Sequence, residues 1–438
     1  MDVETYAGLD ATALAAAVRS NQVTPSELRD AAAAQHEATA KDINAVVEWY
    51  PDPDPVTAPQ GPLAGVPFLR KDYGSAEAGR LVEMGSRLAA GHRAGGTDEY
   101  FRRLKAAGAQ VLGRTAVPEL IQHGSTESRV FGATRNPHDL ALSAGGSSGG
   151  AGAAVAAGVV PAAHASDCAG SIRIPAAVCG LVGLKPARRA VPWSTGGWGG
   201  IAEEFVLTRS LRDAALFWSV LAEGLQQAFP SAVRIGISTD HWAGAADDPA
   251  VVAAAVEVGR RLESLGHRVD AIAPPLDDDE LMSTWHPLFS RWVAHDVMTL
   301  AARTGRGPGP ETLEPLTLNV LEAVARLSVD DVTNAQVAQG GISRRLEQAM
   351  SGLDVLVTPT LGRPTIGLGV LAGEVTSMDD YLRRNSESFP FSFLFNVTGW
   401  AALSVPAGTT EAGHPIGVQL AARPGRELAL LRLAGELA

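Results

Sequence analysis

A glycine-rich segment around two adjacent serines constrains this chain more than any other feature. It reads SAGGSSGGAG and covers residues 143–152. Glycine loses more conformational freedom on folding than any other residue, so this density indicates backbone that turns sharply or lies against other backbone. A serine held there could belong to a phosphate-binding loop at a helix N-terminus, to a nucleophile elbow, or to a different serine-based site.

The first two interpretations each lack a required part. A phosphate-binding loop needs Gly-Lys-Ser/Thr, or G-x-G-x-x-G after a strand, and the segment has neither. Gly145–Gly149 matches G-x-S-x-G, but the preceding RNPHDLALSA does not have the pattern of a buried strand. An elbow also needs a downstream acid and histidine, and nothing singles out His414 in the turn EAGHPIG. An esterase that uses Ser147 in this way stays open as an alternative.

Composition limits the class of protein. The chain has 438 residues, 46% of them hydrophobic, which is enough for one large domain or two ordinary ones. Its net charge of −12 argues against nucleic acid or an anionic membrane as a partner. The N-terminal MDVETYAGLD does not have the pattern of a signal peptide, and Pro161 interrupts the most apolar window, AGAAVAAGVVPAAHA, which we interpret as a buried helix. With only Cys168 and Cys179, we expect a cytoplasmic protein without disulfides.

The order of secondary-structure signals predicts an α/β fold. TPSE has the features of a helix start, and TDEYFRRLKAAGAQVLGRT indicates a helix, a glycine stop and a strand. The strand–helix–strand alternation returns at VRIGIS, DPAVVAAAVEVGRRLESLG and HRVDAIAPP. LDVLVTPT, AALSVPAG and IGVQLAAR indicate later strands before a closing helix. The loop 303–311 is the best candidate for a domain boundary, but no linker or internal repeat divides the chain.

Lysine is rare in this chain, and its positions are informative. Among 36 basic residues only four are lysine: Lys41, Lys71, Lys105 and Lys185. Arginine keeps its proton in proteins and cannot act as a base, whereas lysine can. Lys71 follows the apolar GPLAGVPFLR, and Ser171 follows the small-residue loop SDCAG. Taken alone, Lys71 and Asp72 are typical of a solvated ion pair, and Ser171 is typical of a tight turn or a helix cap.

Taken together, these segments resemble the amidase signature family. GPLAGVPFLRKD, GGSSGG and GSIRIPA occur in the family's order, and RNPHDL, CGLVGLKP, FNVTGWAALSVPAG and PIGVQLAARPG extend the resemblance over most of the chain. It implies a single amidase domain over 1–438, with a signature core at about 60–215. The implied fold is α/β/α, with a central mixed β-sheet covered by helices. It implies neither a cofactor nor a metal, and we find no cluster with metal-ligand spacing.

The resemblance also implies a catalytic triad. In this sequence Ser171 would be the nucleophile, Ser147 a proton relay after a cis peptide bond, and Lys71 the base. Poising a lysine near pH 7 requires a pKa shift of roughly three units, about 4 kcal/mol. Burial without an ionic partner can supply that shift. Asp72 would oppose it, so we predict that the Asp72 side chain points away from the amine.

The same resemblance implies an oxyanion hole made of the backbone N–H groups of Cys168, Ala169, Gly170 and Ser171. The family usually has two glycines before the nucleophile, so the Ala-Gly pair here requires Ala169 to keep a negative φ. A second departure is EEFVLTRSLRD, which lacks the family's common Gly-Pro. Because that region often borders the acyl pocket in this family, we expect the pocket to differ from those of relatives.

Residues around these motifs receive subsidiary predictions. We expect Asp167 and Arg173 to brace the nucleophile loop rather than touch substrate. His123 lies where family members often line the substrate channel, but a surface or core role fits it equally well. VPWSTGGWGG at 191–200 could line a pocket or form a packed turn. Cys168 could be mistaken for a thiol nucleophile, but Ser171 explains the motif better.

The predicted function is hydrolysis of a carboxylic acid amide to an acid and an amine or ammonia through an acyl-serine intermediate. The partner is a small-molecule amide, with neither nucleic acid nor membrane involved, and relatives are often homodimers. Three alternatives stay open: the amidase subunit of a glutamine-dependent tRNA amidotransferase, an acyl-transferring amide synthase, and a catalytically inactive binding protein. The last is the least favoured, because all three triad positions are filled. Variable loops build the pocket in this family, so the sequence does not fix the substrate.

Overall fold

One large mixed β-sheet runs through the chain. The computed structural model describes residues 1–193, 197–245, 247–276, 278–372 and 377–437. Eleven strands form the sheet, in the order β1-β3-β2-β8-β10-β9-β14-β15-β13-β11-β12. Its strands are β1 Val46–Trp49, β2 Pro67–Lys71, β3 Gln110–Thr115, β8 Ala162–Asp167, β9 Val182–Lys185, β10 Glu203–Thr208, β11 Arg234–Ile237, β12 Arg268–Ala271, β13 Val355–Pro359, β14 Ala401–Thr409 and β15 Pro415–Ala422. Two short hairpins lie outside it: β4 Glu127–Ser128 with β5 Gly132–Ala133, and β6 Arg135–Asn136 with β7 Asp139–Ser143.

Helices cover the sheet, as expected for strands that are largely buried. They are α1 Val3–Gly8, α2 Ala11–Arg19, α3 Pro25–Ile43, α4 Glu99–Ala106, α5 Gly149–Ala156, α6 Arg173–Cys179, α7 Gly197–Gly200, α8 Leu211–Leu221, α9 Pro249–Ser264, α10 Asp278–Thr304, α11 Pro315–Val324, α12 Val329–Ala349, α13 Met378–Ser388, α14 Phe393–Thr398 and α15 Glu427–Gly435. Short 3₁₀ turns lie at Arg87–Ala89 and Glu119–Ile121. The predicted α/β class with a central mixed sheet is confirmed.

Parallel pairing of β2 with β8 positions the residues singled out by the sequence. Phe68 lies opposite Ala162 and Leu69 opposite Ala163 in this pair. Because the two strands run in the same direction, their carboxyl ends reach the same edge of the sheet. Lys71 ends β2 there, and β8 ends there at Asp167, immediately before the loop that leads to α6.

Several local predictions are confirmed. Thr24 and Glu27 form a reciprocal capping box at the start of α3, with Pro25 at its first position. Gly108, at φ 100°, separates α4 from β3. Strands before and after the loop 303–311 belong to the same sheet, so the loop does not separate two sheets.

One prediction is wrong in part. AGAAVAAGVVPAAHA is not one buried helix, because α5 ends at Ala156 and the window's last residues, 162–165, belong to the fully buried strand β8. Pro161 stops the helical path, and the following small residues fit between neighbouring strands. Among the described residues, none of the helices is both long and apolar enough to cross a bilayer.

Candidate active site

The glycines around the serine pair allow close contact between backbone segments. A Cβ at Gly146 would lie 2.6 Å from the Ser125 carbonyl, and one at Gly150 would lie 2.5 Å from the Ala116 nitrogen. Both distances are below van der Waals contact, so no larger residue fits without displacing backbone. The peptide bond between Gly146 and Ser147 is cis, as the resemblance implied. This packing holds Ser147 and Ser148 at the N-terminus of α5, which is buried from Gly149 to Val155.

The Lys71 amine lies in a cluster of hydroxyl groups. Its Nζ is 2.9 Å from Ser147 Oγ, 2.7 Å from Ser148 Oγ and 2.9 Å from Ser166 Oγ. Ser148 Oγ in turn donates to the Ser166 carbonyl at 3.2 Å. Since the Ser148 proton is engaged there, Lys71 donates to Ser148, and a neutral amine keeps its lone pair for another hydroxyl.

The surroundings of Lys71 favour the neutral amine. The residue is completely buried, and within the described parts of the chain it forms no ion pair. Burial lowers the pKa of the Lys71 ammonium to about 7, although the nearby Cys168, Asp167 and Glu204 act in the opposite direction. The prediction for Asp72 is confirmed, because its carboxylate pairs with Arg114 at 2.9 Å.

A buried ion pair braces the loop between β8 and α6. The Arg173 guanidinium binds both carboxylate oxygens of Asp167 at 2.9 Å. The same guanidinium donates to Asn396 Oδ1 and Gln419 Oε1, each at 2.7 Å. Burial would raise the pKa of Asp167, but Arg173 outweighs it and holds this pKa well below its usual range. The predicted bracing role of Asp167 and Arg173 is confirmed.

The braced loop orients the predicted oxyanion-hole donors. Asp167 accepts from the Gly170 N–H at 2.7 Å, so that donor is already engaged. The N–H groups of Cys168, Ala169 and Ser171 have no partner in the described structure. Ala169 is not among the residues with positive φ, as its methyl group requires. The structure therefore leaves three of the four predicted donors free.

Ser171 lines a small cavity. Ser171 makes no hydrogen bond to Ser147 in the described chain, whereas Ser147 contacts Lys71. The lining contains aromatic, aliphatic and neutral polar residues: Ile121, Gln122, His123, Gly124, Cys168, Ala169, Ser171, Ile174, Trp285, Phe289, Tyr381, Asn385 and Phe389. His123, for which the sequence left a channel-lining role and a surface or core role equally open, is part of this lining. Burial lowers the pKa of its imidazole to about 4, so it is neutral at pH 7.

The remaining predictions fall elsewhere. His414 contacts Asp139 at 3.3 Å rather than Ser147, and β7, the strand before Ser147, lies outside the central sheet. A nucleophile elbow would need a histidine hydrogen-bonded to Ser147 and a strand of the central sheet before it, and the described part of the chain has neither arrangement. Burial raises the pKa of the Cys168 thiol to about 12, which does not suit a nucleophile. In the segment 191–200, residues 194–196 lie outside the described residues, while Trp198 is buried and donates to Tyr73 Oη at 2.6 Å.

Sequence reasoning missed several groups that complete the site. Ser148 and Ser166 hold the amine, and Asn396 and Gln419 hold the guanidinium. The doubled serine of GGSSGG was the available signal for Ser148. The others have ordinary local sequence, because their role depends on strands that meet only in the folded chain. In the described part of the chain, His, Cys, Asp and Glu side chains form no group of three that could hold a metal ion.

Comparisons with known proteins agree with this geometry. The amidase family model matches residues 27–431. The 6-aminohexanoate-cyclic-dimer hydrolase of Paenarthrobacter ureafaciens is 34% identical, over 98% of this chain and 94% of that protein. The acylamidase of Rhodococcus erythropolis is 32% identical, over 97% and 94%. A solved structure of 6-aminohexanoate cyclic dimer hydrolase with substrate has a TM-score of 0.90 at 31% identity, covering 98% of this chain and 96% of that one.

These matches define the class of protein: an α/β amidohydrolase that cleaves carbon–nitrogen amide bonds. The chain belongs to the amidase family, whose members include the amidase signature enzymes.

Proposed function

We propose that this chain hydrolyses a linear carboxylic amide with Ser171 as nucleophile, Ser147 as relay and Lys71 as base. One observation carries the proposal: the buried Lys71 amine lies 2.9 Å from Ser147 Oγ without a carboxylate paired to it in the described residues. A serine hydroxyl needs a base to become a nucleophile, and a neutral lysine can supply one. The free N–H groups of the adjacent loop support the same assignment.

The proposed acylation step moves one proton along the triad. Ser171 Oγ attacks the carbonyl carbon as its proton passes to Ser147 Oγ, and the Ser147 proton passes to Lys71 Nζ. The oxyanion lies against the N–H groups of Cys168, Ala169 and Ser171. As the carbon–nitrogen bond breaks, Lys71 returns its proton through Ser147 to the leaving amine, which leaves acyl-Ser171 and neutral Lys71.

Deacylation repeats this transfer with water as the nucleophile. Water loses a proton toward Ser147 and Lys71 while its oxygen bonds to the acyl carbon. The returning proton goes to Ser171 Oγ as the ester bond breaks, which releases the carboxylic acid. An acyl-transferring synthase would place an amine where water attacks, so added amines that compete with water would favour that alternative.

The cavity lining supports an uncharged acyl group. Its described residues include aromatic rings and neutral polar groups but no lysine, arginine, aspartate or glutamate. A charged acyl group would lose its hydration there without gaining an ionic partner. Similarity to the cyclic-dimer hydrolases favours a cyclic amide as a second candidate. Parallel assays with a linear anilide and the cyclic 6-aminohexanoate dimer distinguish the two.

Labelling with a serine-reactive fluorophosphonate tests the triad directly. Intact mass is measured for the wild type and for Ser171→Ala, Ser147→Ala and Lys71→Ala. We expect one adduct that disappears in Ser171→Ala and forms much more slowly in the other two variants. An adduct that persists in Ser171→Ala but is lost in Ser147→Ala would overturn the mechanism and favour the elbow arrangement.

Association and location complete the proposal. A homodimer and a cytoplasmic location are proposed from the family resemblance and from Cys168 and Cys179, which are buried and unpaired by disulfide. Native mass spectrometry of protein purified from its own cells would show a dimer of this chain. A stable complex with other subunits would instead support the amidotransferase alternative.

A further inference from the structure

Gln122 forms part of the wall of the Ser171 cavity, and its side chain is held from outside that wall. Gln122 is buried, with 3% of its surface exposed. Its Nε2 donates to Thr317 Oγ1 at 2.7 Å. Thr317 Oγ1 in turn donates to Glu119 Oε2 at 2.5 Å. Because the Thr317 proton is engaged with the carboxylate, the Thr317 oxygen can only accept from Gln122.

These two hydrogen bonds fix the orientation of the Gln122 side-chain amide. Its NH₂ group must face Thr317, so its carbonyl oxygen Oε1 is on the other branch. Oε1 is buried and has no hydrogen-bond partner in the part of the chain that the structure describes. The Gln122 main chain is also held, because Tyr381 Oη donates to its carbonyl oxygen. A well-anchored residue of the cavity wall thus carries an unsatisfied acceptor.

An unpaired buried acceptor costs free energy unless a ligand or water supplies a donor. The substrate class of the proposed function carries such a donor on the amide nitrogen. An ester with the same acyl group has oxygen at this position and lacks the donor. A tertiary amide lacks it as well.

We infer that Gln122 Oε1 accepts a hydrogen bond from the N–H of the bound amide and thereby selects primary and secondary amides over esters and tertiary amides. The inference rests on the proposed function, because it concerns the substrate of the same cavity. It makes Gln122 a specificity-determining residue, in addition to the triad. The bond would also orient the amide in the cavity while Ser171 attacks the carbonyl.

A matched pair of substrates tests the inference. The kcat/KM values are measured for an anilide and for the phenyl ester of the same uncharged acid, with the wild type and Gln122→Met. Methionine keeps the length of the side chain but removes the acceptor. We expect the anilide value to fall about 10- to 100-fold, as for a buried donor left unpaired, while the ester value stays within about threefold. The N-methyl anilide, tested on the wild type alone, should be a poorer substrate than the anilide.

Gln110→Met is the matched control. Gln110 is a buried glutamine whose Nε2 donates to the Asp54 carbonyl at 3.2 Å and whose Oε1 is also unpaired, but it does not line the cavity. Its substitution should leave the anilide-to-ester ratio unchanged. An equal loss on both substrates in Gln122→Met, or no loss on either, would overturn the inference.

Different measurements would contradict the proposed function and the Gln122 inference. Anilide hydrolysis that persists in Ser171→Ala would overturn the triad whatever Gln122 does. A wild type that cleaves the N-methyl anilide as well as the anilide would overturn the Gln122 inference alone, and that measurement needs no variant to fold.

Discussion

Two buried basic side chains, Lys71 and Arg173, lie near the carboxyl end of β8, and their surroundings differ. Lys71 is surrounded by hydroxyl groups of serines, whereas Arg173 binds both oxygens of the Asp167 carboxylate. Burial lowers the pKa of Lys71 to about 7. The guanidinium instead holds the pKa of Asp167 well below its usual range, despite burial. Burial among neutral oxygens therefore produces a base, while burial beside a matched anion produces a brace.

The largest expected effect comes from removing the Lys71 amine, which has no ionic partner in the described residues. Lys71→Met removes the proposed base, and general-base catalysis contributes about 10²- to 10⁴-fold, so kcat/KM for an uncharged anilide should fall by about 10³-fold. Lys185→Met is the matched control: Lys185 is also completely buried, but its Nζ donates to the Pro186 carbonyl at 2.7 Å. The control should retain activity within about tenfold. Equal losses of kcat/KM in both variants would mean that removing either buried lysine lowers activity by disturbing the fold, and would contradict the assignment of Lys71 as the base.

Breaking the paired cation should destabilise the fold instead. Arg173→Met leaves the Asp167 carboxylate buried without its partner, which typically costs about 3–5 kcal/mol of unfolding free energy. Arg212 pairs with Asp10 at 2.5 Å, but its side chain is 63% exposed, so Arg212→Met should cost less than about 1 kcal/mol. Urea unfolding of the three proteins measures both values. Similar costs for the two arginines would show that burial does not distinguish the pairs.

The pH dependence of activity tests the base assignment in the intact enzyme. Protonated Lys71 cannot accept a proton, so kcat/KM for an uncharged substrate should rise about tenfold per pH unit below 7 and level off above it. The His123 pKa of about 4 lies outside this range, so His123 does not produce the rise. The residual activity of Lys71→Met should lack it. A wild-type profile that is flat from about pH 5.5 to 8.5 would contradict a Lys71 base of this pKa.

The sequence predicted the parts of this site that depend on short segments. The positions of Lys71, Ser147 and Ser171 follow from three local motifs, and the negative φ of Ala169 follows from one side chain. The cavity could not be predicted in the same way. Its wall includes Trp285 from α10, and the packing of this helix against α11, α12 and α14 leaves no local motif. The hydrogen bond from the Gly170 N–H to Asp167 was missed for a related reason, since it depends on the direction in which the Asp167 carboxylate points.

The smallest expected effect is a shift of the pH profile when a carboxylate near Lys71 is neutralised. Glu204 lies directly opposite Ser166 in the antiparallel β8–β10 pair, so both side chains share the face on which Lys71 lies. Its carboxylate, held by the Ser75 N–H at 2.6 Å, favours the ammonium form of Lys71. Removing that charge in Glu204→Gln should lower the Lys71 pKa, which moves the half-maximal pH of kcat/KM to lower pH by less than about one unit.

Asp72→Asn supplies the control for this shift. Asp72 is next to Lys71 in sequence, yet its carboxylate pairs with Arg114, so the half-maximal pH should not move. The two variants remove the same charge from buried positions, one on the lysine's face of the sheet and one directed to an arginine. If Asp72→Asn moves the profile as far as Glu204→Gln, the lysine responds to net charge in the region rather than to the anion on its own face. In that case its reactivity would depend on a wider set of groups than the three serines around it.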